Sequence, residues 1–380
     1  MNFNGLILRD LRESFNLSRK DLGDKLNVSE QSIWQYESNI AVPKFENLNT
    51  LKRIFGVDIS YFQRERPVSK VVSSQYIAYR SDLKNSVKST DRETVYVSVV
   101  DDFINNLLKK VTLPDPIIND LYLEVNNMRQ NDSTINEIAH TIRKRLNIDS
   151  QNKMLIAAIE KAGVFVFERS LNKDVDAYST WTEFDRPYII LGKNKSAVRR
   201  MIDIAHELGH ILLHRNQSFS EENTPEIRRI EKEAFQFASA LLLDQSDFEQ
   251  KFTKYVKDPT NPKDYLKLKE YYYVSIGALE MRANNLGLIT SKQSGYFWGK
   301  LTKYGYKKHE PLDDELPLIV PGKIYAIFSM LSRAKIKDLY AETGVNRNFI
   351  NQLIISKPSE RVHSMKKLDD SVDNVLTLFK

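Results

Sequence analysis

The chain has 380 residues, 41% of them hydrophobic and 28% charged, with a formal net charge of +6 and a pI near 9.0, a composition that fits two or three globular domains and excludes disorder or a fibre. It has no cysteine, so disulfide frameworks, thiolate zinc fingers and cysteine nucleophiles are excluded and any metal must sit on His, Asp or Glu. No apolar run approaches the roughly 18 residues of a membrane span, and the N-terminal MNFNGLILRDLRESF puts charges where a secretory signal carries its apolar stretch; the expectation is a cytoplasmic protein with no membrane partner.

From Gly5 to Phe62 apolar residues recur at helical spacing in four or five short segments, broken near Asn16, Asn27 and the stretch from Ile40 to Pro43. Ser18 and Ser29 stand as N-caps, Leu22, Leu26, Val28 and Ile33 can close a small core, and Gly23 allows two helices to approach. This segment resembles the helix-turn-helix of the Xre (lambda/434 repressor-like) family, including Glu37 after the recognition helix and Pro43 beyond it. The resemblance implies double-stranded operator DNA as partner. The helix after Ser29 would present Glu30, Gln31, Ser32 and Gln35 to base edges, with Arg19 and Lys44 on phosphates. Residues 1–66 carry ten basic and nine acidic side chains, a balance that gives one copy little pull on DNA, so a homodimer is expected. Trp34 and Tyr36 can equally be core, and the same packing can serve protein interaction alone.

Between Arg64 and Thr94 periodicity fades and Ser, Lys and Arg accumulate, as in a connection between domains. A helix near Val95–Lys110, a break at Leu113–Pro116 and an amphipathic helix over Thr134–Leu146 follow, read as a helical spacer. A helix running to Gly163 then leads into three strand-like segments, Val164–Phe167, Val175–Thr180 and Pro187–Leu191. These strands, ahead of a long helix, predict a small, mainly antiparallel sheet packed on that helix, with an edge able to take an extended peptide.

The long helix, Ala197–His214, contains His206-Glu-Leu-Gly-His210, and imidazoles at i and i+4 project from one face toward a single zinc ion. Glu207 falls beside them, placed to take a proton from water and deliver it to a leaving amine. A third ligand should come from the later helix Ile230–Leu243. Glu231 shares its stripe with Ala234, Phe235, Ala238, Leu241 and Leu242, whereas Glu233, two residues on, should point elsewhere; Glu231 is the choice and Glu233 the fallback. His214 continues the histidine stripe but lies about 12 Å along the helix from His206, too far for the same metal, and is read as structural.

Together, Ile189–His214 and Glu231–Leu243 resemble the ImmA/IrrE family of metallo-endopeptidases, with HExxH followed by an E-x-x-A…F-A…L-L helix. The resemblance implies Zn2+ on His206, His210 and Glu231, and Glu207 as catalytic base. Phe235 departs from the pattern, standing where such families often carry Asn or Asp to orient a histidine. The likeness continues less distinctly through Val274–Arg282 and Leu286–Leu288. Near the end, Asp338–Leu353 aligns with Asp21–Tyr36, which suggests a second helix-turn-helix-like unit with a packing role.

The expected fold is α+β, mostly α. It comprises an all-α helix-turn-helix domain over 1–66, a linker and helical spacer over 67–150, a zincin-like domain over 151–290 and a helical region over 291–380. The expected function is a DNA-binding regulator whose zinc endopeptidase cuts a repressor-like protein, or itself, on stress or mobile-element induction. The alternative is a non-proteolytic, antitoxin-like regulator with a structural or sensory zinc. Two loops, 191–199 and 215–229, lie near the expected cleft.

Overall fold

The computed structural model describes residues 3–65, 67–73, 78–79, 87–171, 175–193, 195–217 and 225–354. Four helices come first, α1 (Gly5–Ser14), α2 (Arg19–Leu26), α3 (Glu30–Glu37) and α4 (Phe45–Phe55), closed by a 3₁₀ turn over Ile59–Gln63. Both expected caps are present: the Ser18 hydroxyl accepts from the Asp21 amide at 3.0 Å in a reciprocal capping box, and the Ser29 hydroxyl accepts from the Ser32 amide at 3.1 Å. Gly23 packs against the turn itself; a Cβ there would lie 2.8 Å from the Val28 carbonyl oxygen.

A two-residue strand, β1 (Ala78–Tyr79), precedes α5 (Val87–Leu108), α6 (Ile118–Gln130), α7 (Ile135–Arg145) and α8 (Leu155–Ala162). Then come β2 (Phe165–Arg169), β3 (Ala177–Trp181), β4 (Pro187–Gly192), α9 (Ala197–Leu213) and α10 (Pro225–Leu242). Seven helices complete the chain's described part: α11 (Gln245–Tyr255), α12 (Leu266–Tyr272), α13 (Ile276–Asn285), α14 (Ser291–Lys303), α15 (Lys323–Met330), α16 (Arg333–Thr343) and α17 (Arg347–Leu353). Among the described residues no helix is long and apolar enough to cross a membrane.

The fold is mostly helical with a small mixed sheet of order β1-β3-β4-β2. β3 pairs antiparallel with both β1 and β4, while β2 runs parallel to β4, Val166 opposite Ile189. Side-chain alternation tells which residues share a face and leaves the neighbour open, so sequence alone gives no hint of the β2–β4 pairing.

The sheet divides two cores. Val166, Ala177, Ile189 and Leu191 face one side, with α6 to α14. Phe165, Phe167, Tyr178, Tyr188 and Ile190 face the other, where they join α1 to α5 and α15 to α17. The stretch expected as a spacer is therefore shared: α5 belongs to the helix-turn-helix side, and α6 and α7 to the side of α9. Helix α6 was not expected because Pro114 and Pro116 precede it and its Asn-rich sequence dilutes the stripe of Ile118, Leu121 and Val125. The segment aligned with the helix-turn-helix, α16 and α17, packs onto α4. The Asp58 amide donates to the Gly344 carbonyl at 2.7 Å and the Asn346 amide to the Gly56 carbonyl at 2.9 Å, and Gly56 (φ +66°) leaves no room for a Cβ, which would lie 2.3 Å from the Phe349 nitrogen. Of the expected cleft loops, residue 194 and residues 218–224 lie outside the described residues, as does the C-terminal region from 355 onward.

Candidate metal centre

Helix α9 is buried along nearly its whole length, and its polar residues are buried with it: His206 and Glu207 are 0% exposed and His210 3%. Buried imidazoles and carboxylates are stable only with partners. The partner helix is α10, which approaches because α9 carries Gly209 at the crossing: a Cβ there would sit 3.1 Å from the Phe237 ring and 3.4 Å from Ala234. Ala234 lies one turn from Glu231, so this close crossing carries the Glu231 carboxylate to the histidines.

Glu231 Oε2 lies 3.2 Å from His206 Nε2, and Oε1 lies 3.3 Å from His210 Nε2. The two imidazole Nε2 atoms are 3.0 Å apart. One ligand atom from each of the three residues falls within 4.8 Å of the others, the one such convergence among the described residues. Burial works against ionisation of Glu231, but the adjacent imidazoles of His206 and His210 outweigh it and hold its pKa well below the usual carboxylate range. Two imidazole nitrogens and an ionised carboxylate make a donor set that fits a divalent first-row metal.

Around these groups lie Ser179 and Trp181, which no sequence motif singled out, and Phe235, His214 and Glu233, which one did. From β3, the Ser179 hydroxyl donates to Glu207 Oε2 at 2.6 Å, and the Trp181 indole donates to the Ile211 carbonyl at 3.3 Å. Phe235 lays its ring 4.3 Å from that of His206 and stays 39% exposed. His214, the C-cap of α9, approaches His210, with their Nδ1 atoms 3.2 Å apart. Glu233 also reaches α9, its Oε2 lying 3.1 Å from His214 Nε2, and it is held by Arg129 at 3.3 Å and by Arg229. Of the two carboxylates, Glu231 alone joins the His206 and His210 cluster, while Glu233, expected to point elsewhere, reaches the end of α9 at His214. Burial, together with His210, Arg129 and Arg229, pushes the His214 pKa down to about 2, so its ring is neutral at pH 7.

Residues 8–62 match the helix-turn-helix family model, and residues 159–284 match the model of the IrrE N-terminal-like domain, a peptidase family. The chain carries a helix-turn-helix domain and an IrrE N-terminal-like domain. An HTH-type transcriptional regulatory protein of Methanothermobacter thermautotrophicus is 37% identical over 60 residues, which are 16% of this chain and 19% of that protein; the match spans about a fifth of the relative's length. The three candidate ligands, Glu207 and Ser179 all fall inside the IrrE-like domain.

In the helix-turn-helix domain, Leu22, Leu26, Ile33 and Tyr36 are buried, whereas Trp34 is 39% exposed. Along α3, Glu30 and Gln31 are exposed and Ser32 and Gln35 half-buried; Lys44, at the start of α4, is exposed. The Ser32 hydroxyl lies 2.9 Å from that of the cap residue Ser29. Arg19, expected on phosphate, uses its Nε to bind Glu37 at 2.7 Å, and Arg12 holds the same buried carboxylate. Glu37 thereby ties α1, α2 and α3 together.

Proposed function

We propose that this protein is a DNA-binding transcriptional regulator whose IrrE-like domain is a zinc-dependent endopeptidase, cutting a repressor-like protein or the chain itself. The observation that carries the reading is Glu231 reaching both His206 and His210 on one face of α9, with Glu207 next to them. His206, His210 and Glu231 would hold zinc, which when bound acidifies a water and polarises the scissile carbonyl. Glu207 would take a proton from the attacking water as the water oxygen bonds to the carbonyl carbon, and would pass it to the amide nitrogen as the C–N bond breaks, leaving a carboxylate and an amine. Ser179 fixes the Glu207 carboxylate while this proton is carried. The sheet order β1-β3-β4-β2 leaves β1 and β2 outermost among the described residues, and an extended peptide would add along such an edge.

On the DNA side, Glu30, Gln31, Ser32 and Gln35 of α3 read operator base edges in the major groove, with Arg19 and Lys44 toward phosphate, in a homodimer. The burial of His206 and Glu207 favours one second reading, a non-proteolytic, antitoxin-like regulator with a structural or sensory zinc.

The deciding experiment measures the metal content of the wild type, His206→Ala and Glu231→Ala, then cleavage of candidate repressors by wild type and Glu207→Gln. About one zinc per chain, lost in the ligand variants, with cleavage lost in Glu207→Gln while zinc stays, establishes the peptidase. Zinc without cleavage by the wild type turns the assignment to the second reading, and no zinc removes both.

A further inference from the structure

A histidine can serve a metal through Nε2 only if its proton sits on Nδ1, and which nitrogen keeps the proton is decided by what the other faces. For His210 the choice is open on its inner side, because Nε2 lies 3.3 Å from Glu231 Oε1, an acceptor that would welcome an N–H as readily as a shared cation. The bias must come from the outer side, where His210 Nδ1 meets His214 Nδ1 at 3.2 Å and His214 Nε2 meets Glu233 Oε2 at 3.1 Å.

This short chain has a direction. An ionised carboxylate only accepts, so His214 must donate to Glu233 from Nε2. A His210 that gives its Nε2 lone pair to a metal carries its proton on Nδ1 and donates it there, so His214 accepts at Nδ1 while donating from Nε2, and the two ends of the chain agree. Glu233 is itself fixed as an acceptor by Arg129 and Arg229, which approach its two oxygens. His214 is 3% exposed, so water does not compete for its nitrogens.

We infer that His214 and Glu233 are positioning residues for the metal centre, a proton-ordered relay that holds His210 in its Nδ1–H form and presents Nε2 to the metal. The inference rests on the metal-binding reading above. It assigns a role to His214, one turn beyond HExxH, and to Glu233, the carboxylate that does not reach the metal-facing nitrogens.

The test uses the full chain and Zn2+, with affinity measured by competition against a chromogenic chelator. The variants are His214→Phe, which removes the acceptor, and His214→Asn, whose Oδ1 stands at the same number of bonds from Cβ as the imidazole Nδ1. Circular dichroism confirms that each variant folds. The expected result is affinity about 10- to 100-fold weaker in His214→Phe and within a few-fold of wild type in His214→Asn. A second readout is the ¹⁵N spectrum of the zinc-loaded chain labelled at its six histidines, where His214 should be neutral with its proton on Nε2. That signature distinguishes the relay from a role in packing alone. Wild type and a folded His214→Phe binding Zn2+ equally tightly, or a His214 proton found on Nδ1, would overturn the relay and leave the zinc reading standing. A wild type that binds no Zn2+ overturns the zinc reading, and the relay with it.

Discussion

The Ser179 hydroxyl donates to Glu207 Oε2 across 2.6 Å, joining the middle of β3 to α9 with both side chains buried. A buried carboxylate oxygen that loses a donor costs more than the donor contributes in a typical exchange with water. Ser179→Ala should therefore lower stability by about 1–3 kcal/mol in denaturant unfolding and slow peptide cleavage, while zinc affinity stays near wild type because none of the three metal-facing atoms is touched. A zinc affinity that falls with the stability would show that Ser179 holds the whole centre and not Glu207 in particular.

The approach of α10 to α9 depends on Gly209, where added atoms would meet Phe237 and Ala234. Gly209→Val should overpack this crossing at a cost of about 1–3 kcal/mol and move Glu231 away from His206 and His210. Zinc affinity should drop much further than helix content does. Chelator competition alongside circular dichroism reads both, and unchanged affinity would mean that the crossing is more pliable than its tight contacts imply.

These two residues mark where sequence stops being informative. The i, i+4 spacing makes His206 and His210 legible, and the stripe through Ala234 and Leu241 selects Glu231, because a helix fixes relative positions over a few residues. Ser179 acquires its role only when β3 is laid across α9, a contact 28 residues away in sequence. Glu233 misleads for a different reason. It stands two positions from Glu231, which argues for opposite faces, yet its side chain reaches past the end of α9 at Leu213 to His214, already in the cap. The helix-turn-helix was legible through its caps at Ser18 and Ser29, whereas the sharing of one core by α1 to α5, a sheet face and α15 to α17 leaves no local pattern to read.

DNA contacts separate by their salt dependence. Lys44→Ala should weaken binding to all sequences about equally and reduce the salt slope by about 1, as expected for a lost phosphate contact. Gln31→Ala or Gln35→Ala should instead lower discrimination at one base pair by about 1–3 kcal/mol and leave the slope unchanged. Fluorescence anisotropy over a salt series, on operator and scrambled duplexes, measures both; a Lys44 variant that binds scrambled DNA normally would remove that residue from the interface.

A buried polar junction ties the sheet to α1 and α5, on the helix-turn-helix side, at Arg169. It pairs with Glu93 of α5 at 2.9 Å and donates to the carbonyls of Glu13 and Ser14 at the end of α1, while the Tyr178 hydroxyl donates to Glu93 at 2.8 Å. Arg169→Met should cost about 3–5 kcal/mol, because it strands a buried carboxylate. Adding Glu93→Leu should recover much of the loss, since replacing both charges removes the stranded group. A double variant no more stable than Arg169→Met would show that the donors to α1, and not the ion pair, carry the effect.

Asp10, on α1 against Tyr61 and Arg64, gives the helix-turn-helix a pH dependence of its own. Burial raises its pKa from 3.8 to about 6, with Arg9 only partly offsetting the effect. Between those two values the folded chain holds a proton that the unfolded chain has released, so this group's contribution to stability falls as pH rises through the window. Its cost is complete above the folded value and absent below 3.8. After allowance for solvent screening the cost at neutral pH is about 1–2 kcal/mol. Asp10→Asn should therefore raise stability at pH 7 by that amount, leave stability near pH 4 almost unchanged, and flatten the intervening slope. Urea unfolding at pH 4, 5, 6 and 7 measures the slope directly; an Asp10→Asn variant that parallels wild type at every pH would show that the carboxyl is hydrated in the folded protein.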